Sequence, residues 1–492
     1  MRRLIALAVV AGGGTLALAQ SRTDWRKVGP SSVELALASR ATGPVARVWF
    51  SPQGSTLYAV TRGGRIYQTA DFETWVPADG AVVPASPPAA QAVRLPERDA
   101  TIVNAGGGIL FALGLNLYRS RDGGRAWDNL TAYISQPVIG AGQNSVAMSP
   151  LDQAQIVVAN DFGVWRTLDG GMTWSGLNDS LPNLEVRRIL TTPPGPAGAR
   201  IAVEGWSGEL SLPPGADVWE PTGDADWEAE LALRDRYSSA LGTDITAVAT
   251  AGDTVYVGSA DGRIWFSIDG GRTFSASRLP DGVSGPVERI YVDKSQANAA
   301  LAAVAGDGIR VLRTYNAGDS WDAIDSDLPA GAAHSVTADL NSGAVYVATG
   351  RGVFWTVTEL RGSASPPHWT SLSEGLPAEA AYDVRLDAAA VQLYVAVDGY
   401  GVYATAAPHR RRALRVVSAA DLAARPAAPG SLLSVVGARV SSARGGGLDY
   451  PVLGVPSDGE SQLQVPYGAS GPTVSLALET PSGRVTIGLP VH

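Results

Sequence analysis

One short pattern recurs along the chain at nearly constant spacing, and it restricts the fold more than any other feature. It reads SRDGGRAW at 120–127, TLDGGMTW at 167–174, SIDGGRTF at 267–274 and, in worn form, TYNAGDSW at 314–321. The clear copies close on Trp127, Trp174, Phe274 and Trp321, and weaker ones close on Trp75, Trp219 and Trp369. With Trp25 in front, the series advances in steps of 45 to 55 residues. A self-similar unit of that length is one supersecondary module, which buries its apolar face only by stacking on others.

Each unit has the same interior. IVVANDFGVWRT, VYVGSADGRIWFS, VYVATGRGVFWT and LYVAVDGYGVYAT each place two alternating apolar strands around a glycine-containing turn, the pattern of a β-hairpin. An earlier strand such as VRRILTT or VERIYVD is the innermost, and the segment at the closing aromatic is the outermost. Four strands per unit predict an all-β propeller, consistent with 57 glycines and 32 prolines. Residues 381–405 supply three strands with no closing tryptophan, and Trp25 begins a strand with no unit before it. Joining them closes a ring and removes an exposed edge. The expected count is eight blades, or seven if the Trp219 unit is an insertion.

Composition removes several classes of function. A net charge of −9 argues against a nucleic-acid partner. The absence of cysteine excludes disulfides, thiolate zinc sites and cysteine nucleophiles. The four histidines, His334, His368, His409 and His492, have neither metal-ligand nor triad spacing, so no metal or cofactor is expected. Arg2 and Arg3, the apolar run from Leu4 and the Ala17-Leu18-Ala19 site read as a secretory signal over 1–19. The expected product is secreted, periplasmic or on the cell surface, with no membrane span after cleavage.

The recurring acids invite a catalytic or calcium reading, but Asp122, Asp169 and Asp269, with Asn316, fit turn chemistry better. Asp accepts hydrogen bonds from nearby backbone N–H groups, the following glycines permit positive φ, and the aromatic packs between sheets. No EF-hand loop is present. The pattern resembles the Asp-box of bacterial neuraminidase (BNR) repeats, over about residues 22–408. That resemblance implies the sialidase-like propeller fold, shared by sialidases, xyloglucanases, sortilin-type receptors and photosystem II assembly factors.

In such a blade the Asp turn joins the third and fourth strands at one face. The hairpin turns on the opposite face carry Arg62, Asn116, Asp161, Trp206, Asp261, Asp307, Arg351, Asp398 and Tyr400. Ringing a central opening, these are the expected binding residues. Residues 78–99 form a long link on that face. Residues 224–241 read as a helix, with Asp224 as cap and Trp227, Leu231, Ala232 and Leu241 on one stripe.

Catalytic residues are not identifiable. The F/Y-R-I-P motif that the resemblance to sialidases implies is absent, and Arg187 and Arg188, adjacent on an inner strand, point to opposite faces. After a linker at 409–415, residues 416–492 carry alternating strands between P-G, S-G and G-P turns, which predict an immunoglobulin-like sandwich. Through APGSLLSVVGARV and QLQVPYG this part resembles a C-terminal domain of secreted acidobacterial proteins. The expected function is binding or scaffolding of an extracellular protein or glycan on the face opposite the Asp turns. A glycoside hydrolase on that face and an exported chaperone like the photosystem II assembly factors are the alternatives.

Overall fold

The computed structural model describes residues 25–491 except 86–89, 93, 134–135, 194–200, 363–364, 411–413, 421–425, 458–459 and 481–482. The expected signal sequence lies outside the described residues. By internal contacts the chain divides into one unit at 23–407 and another that begins at Pro408.

Among the described residues the larger unit contains eight four-stranded antiparallel sheets, here called blades for reference. Blades 1 to 7 span residues 45–77, 101–129, 143–176, 186–221, 245–276, 287–323 and 333–371. Blade 8 takes three strands from 381–406 and its fourth, Arg26–Val28, from the start of the chain, pairing Arg26 with Ala404 and Val28 with Val402. Trp219 precedes the outer strand of a four-stranded sheet formed by residues 201–221 with the inner strand Val186–Thr191.

The eight aromatics of the series each sit directly before an outer strand of two or three residues. The Asp turn places them there. Thr167 donates its hydroxyl to Asp169 and accepts from the Gly171 N–H, while Asp169 accepts the N–H groups of Met172 and Thr173. Gly170 and Gly171 hold φ of 71° and 100°, the left-handed region that glycine enters without steric cost. Asp122 and Asp269 make the equivalent bonds, Asp71 accepts the Glu73 and Thr74 N–H groups in a turn one residue shorter, and Asn316 accepts the Ser320 N–H with its amide oxygen.

The blades are not ordered around one ring as they are along the chain. Trp321 of blade 6 donates its indole N–H to Ser277 beyond blade 5, Trp369 of blade 7 to the Ile324 carbonyl beyond blade 6, and Trp25 of blade 8 to Leu372 beyond blade 7. Trp219 of blade 4 donates to Pro30, which follows the last strand of blade 8. Blade 4 therefore follows blade 8, and their residues share a core containing Val186, Val203, Ala396 and Val402. In the same way Trp174 of blade 3 bonds the Leu130 carbonyl just beyond blade 2, and Trp75 of blade 1 bonds the Leu177 carbonyl just beyond blade 3. The packing runs 5-6-7-8-4 and 2-3-1. This corrects the expectation of a single ring in chain order, because blades 1 and 4 each stack on a blade remote in sequence.

The helix α1 (Ala225–Leu241) closes the longer run. Trp227 packs on Leu190 and Ala202 of blade 4, and Tyr237 packs on Ile245, Val257 and Trp265 of blade 5. Phe274, whose counterparts in blades 3, 6 and 7 reach the blade before, meets the Tyr237 ring edge to face at 4.9 Å. Asp224 caps the helix by accepting the Trp227 N–H at 3.0 Å. The buried stripe is Trp227 and Tyr237 with Leu233 and Leu241 packed beside them; Leu231 and Ala232, expected on it, are exposed. For blade 2 the missing neighbour is replaced by part of the long link, where Trp127 donates to the Arg94 carbonyl.

The C-terminal unit has two four-stranded antiparallel sheets. Leu433, Val435 and Leu463 from one share a buried core with Leu476, Leu478 and Leu489 from the other, which makes the unit a sandwich.

Candidate functional site

In seven blades the innermost strand carries a bulge after its first residue. The extra residue disrupts the ladder and re-aims the side chains around it. In the five-blade ring the residues just past the bulge are Arg188, Ala247, Arg289, Ser335 and Asp383.

Asp383 shows where they point. Its carboxylate accepts Arg289 Nη2 of blade 6 at 3.2 Å, the Ile189 N–H of blade 4 at 2.8 Å, and the Ser335 hydroxyl of blade 7. Blades 4, 6 and 8 meet at one side chain only on the inner side of the ring. Beside it, Arg188 Nη2 reaches both oxygens of Glu230 on α1 at 2.7 Å, and Glu230 also accepts Arg234 at 2.7 Å. Arg385 donates Nη1 to the carbonyls of Ile189, at 2.8 Å, and Leu190.

Among the described residues, each of Arg188, Arg289 and Arg385 commits one guanidinium nitrogen to protein acceptors, which leaves two donor nitrogens apiece. Burial, together with the charge of Arg289, lowers the Arg188 pKa to about 9 even with Glu230 alongside, and lowers that of Arg385 in the same direction. Burial raises the Glu204 carboxyl despite Arg188 close by. The axis is thus rich in partly dehydrated cations with unspent donors. Both carboxylates in contact with it, Glu230 and Asp383, are held by arginine.

The extra residues of the bulges form a layer above. Arg187 stacks over the Tyr382 ring at 4.4 Å, His334 meets the same ring edge to face at 5.3 Å, and His334 Nδ1 lies 2.9 Å from Glu288. This chain links blades 4, 8, 7 and 6 at the mouth of the ring.

The hairpin-turn residues expected to bind do not surround one opening. Arg62, Asn116 and Asp161 belong to blades 1, 2 and 3, and Trp206, Asp261, Asp307, Arg351, Asp398 and Tyr400 belong to the five-blade ring. Several are already occupied: Arg62 pairs with Asp161 at 2.8 Å, Asp398 with Arg65 at 3.1 Å, and Asp261 with Arg263 at 2.7 Å. Trp206 packs edge to face on Phe162, and Asn116 accepts the Thr131 hydroxyl. Asp307 and Arg351 are exposed. The axial residues Arg289, Ser335, Asp383 and Arg385 were not singled out from sequence. A signal exists in VRRI, VERI, AHSV and AYDV, where a polar residue always precedes a β-branched one after the same offset.

No family model matches the chain, and no curated protein matches it. Solved structures similar to it include YCF48 from Cyanidioschyzon merolae, at 15% identity over 78% of this chain and 98% of that one, with a TM-score of 0.28. Others are the GH74 xyloglucanase from Xanthomonas campestris, at 15% over 73% and 66% with a TM-score of 0.36, and the Myceliophteria thermophila Cps50 (Swd1) β-propeller domain, at 11% over 76% and 98% with 0.26. Superpositions this loose carry no inference about function. The description as a β-propeller protein rests on this chain's own four-stranded blades and their face-to-face packing.

Proposed function

We propose that the chain is an exported, eight-blade BNR-type binding protein that takes an anionic group of an extracellular glycan or protein at the axis of its five-blade ring. The observation that carries this reading is the set of three arginines from blades 4, 6 and 8, each with two uncommitted nitrogens. The Arg187–Tyr382–His334–Glu288 layer, on the face opposite the Asp turns, would meet the ligand first. The C-terminal sandwich, read as an immunoglobulin-like module, serves as an accessory for display.

A glycoside hydrolase needs one carboxyl group free to donate a proton and a second to act as nucleophile or base. Asp383 is engaged by four different donors and Glu230 by two arginines, so neither supports that reading.

A glycan array run beside a panel of chromogenic glycosides tests the proposal. Acidic glycans should be retained, binding should fall with salt, and Arg289→Gln and Arg385→Gln should lose it. Turnover of any glycoside, or equal retention of neutral glycans by wild type and both variants, would overturn it.

A further inference from the structure

A second site lies where blades 1 and 8 come together. Arg65 and Tyr67 of blade 1, and Glu379 and Tyr400 of blade 8 and its approach, line a pocket of about 310 Å³ whose remaining wall includes Ile66 and Pro77. The polar groups are fixed by one another. Arg65 Nε donates to Glu379 Oε1 at 2.8 Å, and Arg65 Nη2 donates to the Asp398 carbonyl at 2.8 Å and its carboxylate at 3.1 Å. The guanidinium stacks over the Tyr400 ring at 5.0 Å, and the Tyr67 and Tyr400 hydroxyls are 3.2 Å apart. Gly399 permits this arrangement, since a Cβ there would fall 2.1 Å from Arg65 Nη1.

The remaining bonding capacity defines the ligand. Among the described residues Arg65 Nη1 is a donor without a protein acceptor, Glu379 Oε2 is an acceptor without a protein donor, and the hydroxyl pair can accept one more bond. A donor and an acceptor in one pocket match a ligand carrying several hydroxyl groups, each of which gives one bond and takes another. Ile66 and Pro77 provide an apolar surface for a C–H face. Arg65 lies between Glu379 and Asp398, and Asp79 also lines the pocket, so its one positive charge is outnumbered and the net negative site disfavours an anion. We propose that this pocket binds a neutral hexose residue. The site is separate from the ring axis, and the proposal does not depend on the anion reading.

Saturation-transfer NMR with the full chain tests it, using methyl glucoside, methyl galactoside and methyl mannoside as probes and lysine methyl ester as the cationic comparison. At least one hexoside should give saturable transfer. Glu379→Gln, which keeps the bond to Arg65 but weakens the acceptor, should bind that hexoside about tenfold more weakly, and Tyr400→Phe should weaken it with unchanged Tm. Arg289→Gln at the ring axis should leave hexoside binding intact even if it abolishes anion binding. The proposal is overturned by no hexoside transfer in the wild type, by equal transfer in both pocket variants, or by preferential binding of lysine methyl ester.

Discussion

Asp383 on the inner strand of blade 8 accepts a hydrogen bond from Arg289 on the inner strand of blade 6, 3.2 Å away on the inside of the ring. Blade 7 stands between these two blades, so the bond fixes the diameter of the ring at that level. Asp383 is almost fully buried and also holds Ile189 and Ser335. Removing it leaves a guanidinium, a backbone N–H and a hydroxyl without their acceptor. Asp383→Ala should therefore destabilise the larger unit by about 3–5 kcal/mol, measured by denaturant unfolding. A loss below about 1 kcal/mol would mean that water replaces the carboxylate freely.

Trp219 is fully buried and joins blade 4 to the segment following the N-terminal strand. Trp219→Ala should cost about 3–5 kcal/mol through the cavity it leaves. Deletion of residues 20–29 should destabilise the same junction, and hydrogen exchange in 401–406 should rise in both variants.

The order of the blades can be tested without a structure. Arg62 and Asp161, on exposed turns of blades 1 and 3, form an ion pair at 2.8 Å. The chain has no native cysteine, so Arg62→Cys with Asp161→Cys provides two unique thiols. A short bis-maleimide should join them within one molecule, detected as a cross-linked peptide pair by mass spectrometry. In a ring that followed chain order, blade 2 would separate them and the product would not form.

The turn aspartates make an acid-sensitive set. Backbone and hydroxyl hydrogen bonds hold the carboxyls of Asp71, Asp122, Asp169 and Asp269 below the usual aspartate value. A lowered folded pKa contributes stability that is present above the unfolded value, about 3.9, and is lost as pH falls through the folded value. Thermal stability should decline on acidification below about pH 4. Asp169→Asn should reduce that dependence while retaining the turn, as Asn316 does in blade 6; an unchanged pH profile would count against this assignment.

The helix closing the ring depends on its cap. Asp224→Ala should cost about 0.5–2 kcal/mol and raise hydrogen exchange in the first turn of α1 before any loss of global stability.

The sequence by itself determined the units. Each Asp turn is written within eight residues, and each hairpin within about a dozen, so the bonds from the Thr173 N–H to Asp169 and from the Ser320 N–H to Asn316 follow from neighbouring positions. Pairing of the first strand with the last hairpin was also legible, because an unclosed unit at one end matched a surplus strand at the other. Tertiary structure decided which blade stacks on which. The blade faces are similar apolar surfaces, and nothing local in VARV or VRRI tells blade 1 to pack on blade 3 or blade 4 on blade 8. The axial cluster depends on that choice: Asp383 meets Ile189 across 194 residues of chain only because blade 4 follows blade 8 in space. Turn chemistry is short-ranged and readable, whereas the order of interchangeable faces is set by the packing of the whole chain.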